Sequence, residues 1–281
     1  RGMAIGTAAP TAEEMEGVPH HMIAVADPAE QWSAARYARA AVPIVDDILR
    51  RGKRPILVGG TGLWLDAVVQ GREFAPGQAG GAIRRELEAQ LAAFTDRKHC
   101  ITCANGTDAL QLAFMALGVG EGDAVFAPDM TFISSTEPAA MFGAVSVFCD
   151  ITPDTYNLDP ASLERQVKAV LAKGKYTPKA VDILGNPCDY NAVSAVCEKY
   201  GLALIEDAAQ SFGAEYHGKK ACSFGRIATT SFFPAKPLGC YGDGGAVFTD
   251  DDEINDLIRS LCVHGKGPGG KYDNIRVGMN S

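Results

Sequence analysis

The chain has 281 residues, of which 47% are hydrophobic and 21% charged, a composition typical of a globular protein with a substantial buried core. No run approaches the roughly 18 apolar residues that a membrane-spanning helix requires, and the first residues show no signal-peptide pattern. The net charge is −8, and neither residues 1–75 (8 Lys and Arg against 9 Asp and Glu) nor residues 76–281 (18 against 25) have the basic excess of a nucleic-acid-binding protein.

The eight cysteines predict reduced thiols, because a chain of this length without a secretory signal seldom relies on a disulfide framework. This pattern favours a cytoplasmic location. Cys100 and Cys103 form a C-x-x-C motif within the strand-like run HCITC. No second C-x-x-C and no nearby pair of histidines completes a zinc site. We interpret both residues as small buried hydrophobic side chains, with metal or redox chemistry as the alternative.

The chain opens with a stretch rich in loops, and two helices are predicted before residue 52. A short helix is expected around Ala12–Glu16. Ser33 is a suitable N-cap for a longer helix from about Ala34 to Arg51. Pro43 within that helix indicates a kink or a break, because proline lacks the N–H that a helix interior needs.

A strand, a glycine turn and an apolar helix are predicted next, from residues 55–58 (PILV), 59–62 (GGTG) and 63–69. Such a turn presents backbone N–H groups to an anion, but many α/β proteins use the same turn for packing alone. Residues 72–82 (REFAPGQAGGA) then have the composition of a linker. We place a domain boundary here and divide the chain into residues 1–75 and 76–281.

Several motifs of the first part follow one another in the order that one enzyme family uses: IGTAAPTAEE, GVPHHMI, DPAEQWSAARY and RGKRPILVGGTGLWLDAVVQG. This segment resembles the tRNA dimethylallyltransferases. The resemblance implies an α/β fragment of a P-loop-type prenyltransferase, in which Thr61 matches the catalytic threonine. The family's P-loop and catalytic aspartate are expected before Arg1, and Ala9 replaces the family's usual lysine. The resemblance therefore implies a fragment that lacks both the phosphate-binding P-loop and the catalytic aspartate that acts as the base.

From Ile83 onward, predicted helices and strands alternate regularly. The strands are continuous apolar runs, which indicates a sheet buried on both faces. Alternation of this kind predicts a three-layer α/β fold with a mostly parallel sheet. The predicted helices are 83–94, 106–117, 132–142, 158–173, 190–200 and 252–263, and the predicted strands are 100–103, 123–128, 144–151, 179–184, 202–207, 227–233 and 245–250.

A phosphate site is predicted where the second of these helices begins. Asn105 is a natural N-cap, Gly106 permits close approach, and Thr107 offers a hydroxyl. The unpaired N–H groups of a helix start favour a phosphate. An ordinary capped helix is the alternative interpretation.

Two charged residues follow predicted strands, where α/β proteins place their ligands. Asp207 ends an apolar strand, and burying its carboxylate is costly without a partner; it suits either a pyridinium N–H or a structural salt bridge. Lys236 lies between an apolar strand and a glycine turn, a few residues after Ser231. A lysine is usually solvated, but one that emerges into a pocket has a lowered pKa and acts as nucleophile and base.

Phe132 follows another strand, and its flat ring is suited to stacking on a planar cofactor, although core packing is the default for phenylalanine. Taken together, a helix start for phosphate, an aspartate for a ring nitrogen and a lysine for an aldehyde describe a pyridoxal phosphate site.

Six motifs of residues 80–281 carry a second resemblance: CANGTDALQLAFMALGVGEGD, PDMTFISS, FCDITPDTYNLDP, IEDAAQSFGAEYHGK, TTSFFPAKPLGCYGDGGAVFTDD and VGMNS. This part resembles the DegT/DnrJ/EryC1/StrS sugar aminotransferases, which have the fold of type I pyridoxal phosphate enzymes. The resemblance implies that Lys236 binds the aldehyde of the cofactor, that Asp207 holds its ring nitrogen and that Gln210 faces its phenolic oxygen.

Further roles follow from the same resemblance. Gly106, Thr107 and Ser231 match phosphate ligands, and Phe132 matches the stacking aromatic residue. Asn280 matches an asparagine that reaches the phosphate of the partner subunit, which implies a homodimer with shared sites. The implied reaction transfers an amino group from an amino acid, usually glutamate in this family, to a nucleotide-linked keto sugar.

The family's smaller C-terminal domain is expected to be missing, because the chain stops inside a motif that the family continues. Three hypotheses result. The chain is a pyridoxal phosphate aminotransferase, a tRNA dimethylallyltransferase, or a catalytically inactive chimera of the two. The second is disfavoured, because the P-loop and the base are missing.

Overall fold

The computed structural model of this chain describes residues 9–27, 30, 32–58, 62–70, 81–184, 187–269 and 273–281, with backbone alone at 62–63 and 181–184. The chain divides into two compact units, Arg1–Ala79 and Gly80–Ser281. Among the described helices, none combines the length and the apolar composition that crossing a membrane demands.

The first unit contains two helices, α1 (Ala34–Arg50) and α2 (Gly62–Val69), which pack through a small cluster of alanines and Trp64. The Ser33 hydroxyl accepts a hydrogen bond from the Arg36 N–H at 3.2 Å, which confirms Ser33 as the N-cap. The helix continues through Pro43. Of the two expected effects of this proline, the break is therefore wrong, and the kink stays a prediction.

Two other predictions for the first unit are wrong. Residues 12–17 form turns rather than a helix, because Glu16 adopts a φ of 46° and stops the chain after one turn. Residues 53–58 form no strand, and Ile56 and Val58 are 80% and 88% exposed. A strand needs a hydrogen-bonded neighbour, and the described part of this unit contains no other strand to supply one. Thr61 and its glycine turn lie outside the described residues.

The second unit is built on a seven-stranded sheet. Its strands are β1 His99–Cys103, β2 Asp123–Pro128, β3 Val145–Cys149, β4 Thr177–Leu184, β5 Ala203–Asp207, β8 Ile227–Ser231 and β9 Gly245–Thr249. A separate ribbon pairs β6 (Glu215–Tyr216) with β7 (Lys219–Lys220). The strand order in the large sheet is β1-β9-β8-β5-β4-β2-β3. Strand β9 runs antiparallel to both of its neighbours, and the other pairs are parallel.

Helices cover both faces of this sheet, as the alternation predicts. The helices of this unit are α3 Ala82–Phe94, α4 Gly106–Ala116, α5 Glu137–Met141, α6 Pro160–Lys173, α7 Tyr190–Tyr200 and α8 Asp252–Leu261. Along β2, Val125 faces the core cluster of α4 and α8, whereas Phe126 faces that of α6 and α7. The three-layer, mostly parallel architecture is therefore confirmed.

The helix predicted over residues 132–142 is divided in two. A short 3-10 helix covers Ile133–Ser135, and α5 begins at Glu137. Pro138 explains the division, because proline is tolerated in the first turn of a helix but removes a hydrogen bond further inside. Phe132 is the N-cap residue of the 3-10 helix.

Candidate active site

The predicted site residues gather at one edge of the sheet. Strands β5 and β8 are parallel neighbours and end at Asp207 and Ser231. Strand β9 runs the other way and begins at Gly245, which is paired with both Ser231 and Cys103. The carboxyl ends of parallel strands are where α/β proteins bind ligands. The structure therefore brings three separate stretches of the sequence to one place.

The start of α4 lies directly against the end of β8. A Cβ atom on Gly106 would lie 2.7 Å from the Cβ atom of Ser231, and one on Gly245 would overlap the carbonyl of Asn105. Only glycine permits this approach. The structure therefore places the backbone of Gly106 beside the Ser231 side chain.

The N–H groups at this helix start are suitably arranged for an anion. The Asn105 side chain accepts the Asp108 N–H at 2.8 Å, as expected of an N-cap. Within the described part of the chain, the N–H groups of Gly106 and Thr107 have no hydrogen-bond acceptor. Unpaired N–H groups and the positive end of the helix dipole attract a phosphate. The arrangement fits the phosphate group that the sequence predicts.

Asp207 is buried at the end of β5, with only 4% of its surface exposed. Its carboxylate accepts the Ala209 N–H at 3.0 Å. Burial raises the pKa of Asp207 above its ordinary range, and the Ala209 hydrogen bond and the positive charge of Lys236 oppose that rise. In the described structure Asp207 forms no ion pair with Lys236. The expected alternative of a structural salt bridge is thus absent from the described residues.

Lys236 is half-buried in a turn that its own N–H closes on the Phe233 carbonyl at 2.8 Å. Phe233 N–H donates in turn to the Ser231 hydroxyl at 3.3 Å. The segment that leaves β8 is therefore folded back on the strand end. As a result, the lysine is held close enough for its charge to act on Asp207.

The three remaining predicted residues of the second unit are exposed. Gln210 lies in the turn after β5, and Phe132 is 63% exposed at the start of the 3-10 helix. The ring of Phe132 therefore does not pack in the core, which excludes the default interpretation. Asn280 precedes Ser281, whose hydroxyl accepts the Ala104 N–H at 3.0 Å. The end of the chain is thus held next to the residues that cap α4.

Family models match both parts of the chain. Residues 68–281 match the model of the DegT/DnrJ/EryC1/StrS aminotransferase family. The chain belongs to this family. Residues 1–104 match the model of IPP transferase, which agrees with the resemblance seen in the first part.

Among the relatives of this DegT/DnrJ/EryC1/StrS protein is the UDP-2-acetamido-2-deoxy-3-oxo-D-glucuronate aminotransferase of Pseudomonas aeruginosa. It is 51% identical over 200 residues, which cover 70% of this chain and 53% of the relative. The UDP-N-acetyl-3-dehydro-alpha-D-glucosamine 3-aminotransferase of Acidithiobacillus ferrooxidans is 38% identical over 248 residues, covering 86% and 62%. The chain spans about half the length of the curated relatives it matches.

Solved structures of the family show the same fold. A DegT DnrJ EryC1 StrS aminotransferase from Brucella abortus has a TM-score of 0.70 at 40% identity, covering 86% of this chain and 61% of that structure. The NtdA structure from Bacillus subtilis, which contains the cofactor PMP, has a TM-score of 0.64 at 27% identity, covering 84% and 49%.

The C-x-x-C motif does not form a site in this family member. Cys100 packs in the cluster beside α3, whereas Cys103 packs against the cluster of α4 and α8, on the opposite face of β1. Residues three apart on a strand point to opposite faces. Burial raises the pKa of both thiols. Within the described residues, no group of three or more His, Cys, Asp or Glu side chains is arranged to hold a metal ion.

Sequence reasoning missed a buried polar network beside the site. Glu206 is fully buried, and its carboxylate accepts hydrogen bonds from the Tyr190 hydroxyl (3.1 Å), the Cys222 N–H (2.8 Å) and the Phe224 N–H (2.9 Å). The Arg97 guanidinium donates to the Cys222 and Phe224 carbonyls at 2.8 and 2.6 Å. The two side chains together hold the segment that crosses behind β5. The sequence feature that could have indicated this network is the pair Glu206-Asp207 at the end of an apolar strand.

Glu206 should make stability depend on pH. Burial raises the pKa of Glu206 from its ordinary 4.5 to about 7. The folded chain therefore binds a proton more tightly than the unfolded chain, so this contribution is complete below pH 4.5 and is lost as the pH rises through 7. We expect the free energy of unfolding of the wild type, relative to Glu206→Gln, to fall between these values by on the order of 3 kcal/mol.

Urea denaturation at a series of pH values tests this expectation. The amide introduced by Glu206→Gln keeps a carbonyl oxygen for two donors, but its NH2 group would oppose the Phe224 N–H. The repulsion between these two donors lowers the free energy of unfolding of Glu206→Gln by the same amount at every pH. The test is therefore how the difference between the two proteins changes with pH. Parallel stability curves for the two proteins would contradict the role given to the Glu206 carboxylate.

Proposed function

We propose that this chain is a pyridoxal phosphate-dependent aminotransferase that moves an amino group from an amino acid to a nucleotide-linked keto sugar. The observation that carries the proposal is the convergence of a buried carboxylate, a half-buried lysine and a helix start with unpaired N–H groups. These groups match the ring nitrogen, the aldehyde and the phosphate of one cofactor. Family membership and the names of the relatives support the same reaction class.

The residues present fit this cofactor. The N–H groups of Gly106 and Thr107, with the Ser231 hydroxyl beside them, would hold the phosphate. Asp207 would accept the ring N–H, and Phe132 would offer its exposed face to the ring. We assign the phenolic oxygen to Gln210 on the resemblance.

The chemistry divides between the cofactor and the chain. Pyridoxal phosphate, when bound, supplies an aldehyde that captures amino groups and a conjugated ring that accepts an electron pair. Asp207 would keep a proton on the ring nitrogen, because a buried carboxylate stabilises a positive charge that water no longer reaches. Lys236 would hold the aldehyde of the cofactor through its Nζ atom. The same amine would be the base placed to move the proton at the α-carbon of the amino donor.

Substrates and partners follow from the same proposal. Two relatives are named for UDP-linked sugars with an oxo group at position 3. We propose a nucleotide-linked keto sugar as the acceptor and glutamate as the donor. We also propose a homodimer in which Asn280 reaches the phosphate of the partner subunit. The eight unpaired cysteines support a reducing compartment such as the cytoplasm.

The match of residues 1–104 to IPP transferase motivates a second candidate. We propose that residues 1–75 are a prenyltransferase-like fragment and that residues 76–281 are the large domain of the aminotransferase. Transfer of a dimethylallyl group to tRNA by this chain would establish the alternative. Absence of both that transfer and cofactor binding would favour an inactive chimera.

Binding of the cofactor is the direct test of the main proposal. We expect the chain to take up one pyridoxal phosphate with a visible absorption band. Borohydride should then fix the cofactor on the peptide that contains Lys236, which mass spectrometry of a digest would locate. A protein that stays colourless at saturating cofactor and carries no fixed adduct would overturn the proposal.

A further inference from the structure

The two halves of the candidate active site lie on opposite sides of one boundary between strands. Asp207 belongs to β5, whereas Ser231 ends β8 and is paired with Gly245 of β9. The start of α4 is on the β8 side, because Gly106 lies against the Ser231 side chain. The position of the buried carboxylate relative to the predicted phosphate ligands therefore depends on how β5 is joined to β8.

The joint between β5 and β8 is short. Three residue pairs connect these strands, whereas five connect β4 to β5. At one end of the joint the Arg226 N–H donates to the Leu204 carbonyl at 3.0 Å. At the other end the Ala208 N–H donates to the Thr229 carbonyl at 2.8 Å. Each such bond adds little net stability in competition with water, so side-chain contacts become important for holding the two strands together.

Two buried charged side chains bridge this joint through residues 222–225, the segment that leads into β8. From the β5 side, the Glu206 carboxyl group accepts two N–H groups of this segment, at 2.8 and 2.9 Å. The Arg97 guanidinium donates to three carbonyls of the same segment, at 2.6 to 3.0 Å. It also donates to the Asp250 carboxylate, which follows β9, at 2.7 Å. The two side chains thus tie β5 to the end of β9 across the base of β8.

The backbone of this segment has a conformation that needs such support. Cys222 has a φ of 73°, in the left-handed region that is unfavourable for a residue other than glycine. Gly225 has a φ of 69°, and a Cβ atom there would lie 2.5 Å from the Leu204 carbonyl oxygen. The segment therefore lies directly against the backbone of β5. The hydrogen bonds from Glu206 and Arg97 offset the conformational cost of this arrangement.

We propose that Glu206 and Arg97 are positioning residues that hold β8 in register on β5, and through that register set the spacing between the Asp207 carboxylate and the predicted phosphate site. Glu206 acts from the reverse face of the strand, because successive residues of a strand point to opposite faces. This inference rests on the proposed function, because only a ligand that engages the carboxylate and the phosphate site together senses the spacing.

Three variants separate positioning from a general effect on stability. Arg97→Lys keeps the buried positive charge but loses the planar fork that reaches several carbonyls at once. Glu206→Gln opposes an NH2 group to the Phe224 N–H. Tyr190→Phe is the matched control, because it removes the third donor to Glu206 but keeps the ring that stacks on Phe224 at 4.0 Å. It also leaves every hydrogen bond of residues 222–225 in place.

Hydrogen exchange of single amides, followed by NMR without cofactor, measures the joint itself. The reporter is the Ala208 N–H, which crosses from β5 to β8. The reference is the Asp129 N–H, which donates to the Cys149 carbonyl at 2.9 Å where β2 and β3 end. Local loosening of the joint accelerates the reporter alone, whereas a loss of global stability accelerates both amides.

We expect Arg97→Lys and Glu206→Gln to raise the ratio of reporter to reference exchange rates by about tenfold, which corresponds to the loss of one hydrogen bond to a charged group. Tyr190→Phe should leave the ratio unchanged. Should Glu206→Gln fail to fold, Arg97→Lys carries the same test with the buried charge retained. Equal acceleration of both amides in these variants would overturn the inference, because the two side chains would then only stabilise the fold.

Titrations with pyridoxal phosphate and with inorganic phosphate measure the effect on the site. We expect Arg97→Lys and Glu206→Gln to bind pyridoxal phosphate about tenfold more weakly, the smaller end of the loss seen when the side chain that supports a metal ligand is removed. Inorganic phosphate should bind as it does to the wild type, because its predicted ligands all lie on the β8 side. Tyr190→Phe should match the wild type with both ligands.

Unchanged affinity for pyridoxal phosphate in both variants would overturn the positioning role. An equal loss of affinity for the two ligands would also overturn it, because the phosphate site itself would then be damaged. A wild type that binds no pyridoxal phosphate overturns the proposed function instead, and the exchange ratio still decides whether Glu206 and Arg97 hold the register.

Discussion

Lys236→Ala should take up pyridoxal phosphate without retaining it covalently. The visible band of the wild type should be lost, and borohydride should fix no cofactor to the chain. The reason is that the methyl group of alanine cannot attack an aldehyde. Within the described residues, Lys236 is the lysine whose charge reaches the buried carboxylate of this edge. Equilibrium dialysis and mass spectrometry after borohydride treatment measure the two effects separately.

The same variant should also lose the proton transfer. A positioned acid–base group contributes up to about 10⁴-fold to a rate, and we expect the reaction of the bound cofactor with an amino donor to slow by about that factor. Lys173→Ala is the matched control, because Lys173 is exposed in the last turn of α6. A Lys236→Ala chain that still yields a cofactor adduct at another lysine would contradict the assignment.

Gly245→Ala should damage the phosphate site through the backbone. The new Cβ atom would overlap the Asn105 carbonyl and lie 2.9 Å from the Gly106 nitrogen, so either β9 or the start of α4 must shift. Overpacking typically costs about 1–3 kcal/mol, and we expect the upper end here because the overlapping atoms belong to the backbone. Because the shift displaces the N–H groups of Gly106 and Thr107, we also expect the affinity for pyridoxal phosphate and for inorganic phosphate to fall.

Gly120→Ala provides the control for this change. A Cβ atom at Gly120 would meet the Phe142 carbonyl at 3.8 Å, an ordinary contact, so its stability and phosphate affinity should match the wild type. Chemical denaturation and a phosphate-competition titration of cofactor binding measure both quantities. Equal stability and equal affinity for Gly245→Ala would show that the α4 start tolerates displacement, which contradicts its proposed role in holding the phosphate.

The comparison of sequence and structure is clearest at individual residues. Ser33 and Asn105 are N-caps as predicted, because a cap depends on a side chain and N–H groups two or three residues away. The single helix over 132–142 was wrong for a local reason, since Pro138 divides it within its own turn. The strand at 55–58 was wrong for a non-local reason, since it lacks a neighbouring strand among the described residues of its unit. Periodicity alone records neither effect.

The candidate active site shows the same difference between features set by local sequence and features set by distant contacts. Motif spacing is sufficient to predict Lys236, Asp207 and the α4 start, because each follows a strand or begins a helix. Spacing does not reveal the partners in the Glu206 and Arg97 network, since these contacts join residues far apart in the sequence.

Local sequence is therefore enough for most elements of the second unit, for the caps at Ser33 and Asn105, for the family and for the type of cofactor that this chain is proposed to use. The tertiary structure alone shows which groups surround the Asp207 carboxylate and how closely α4 approaches β8. The physical reason is the distance along the chain over which each effect acts. Capping and periodicity act over a few residues, whereas desolvation and steric overlap depend on atoms that the fold brings together.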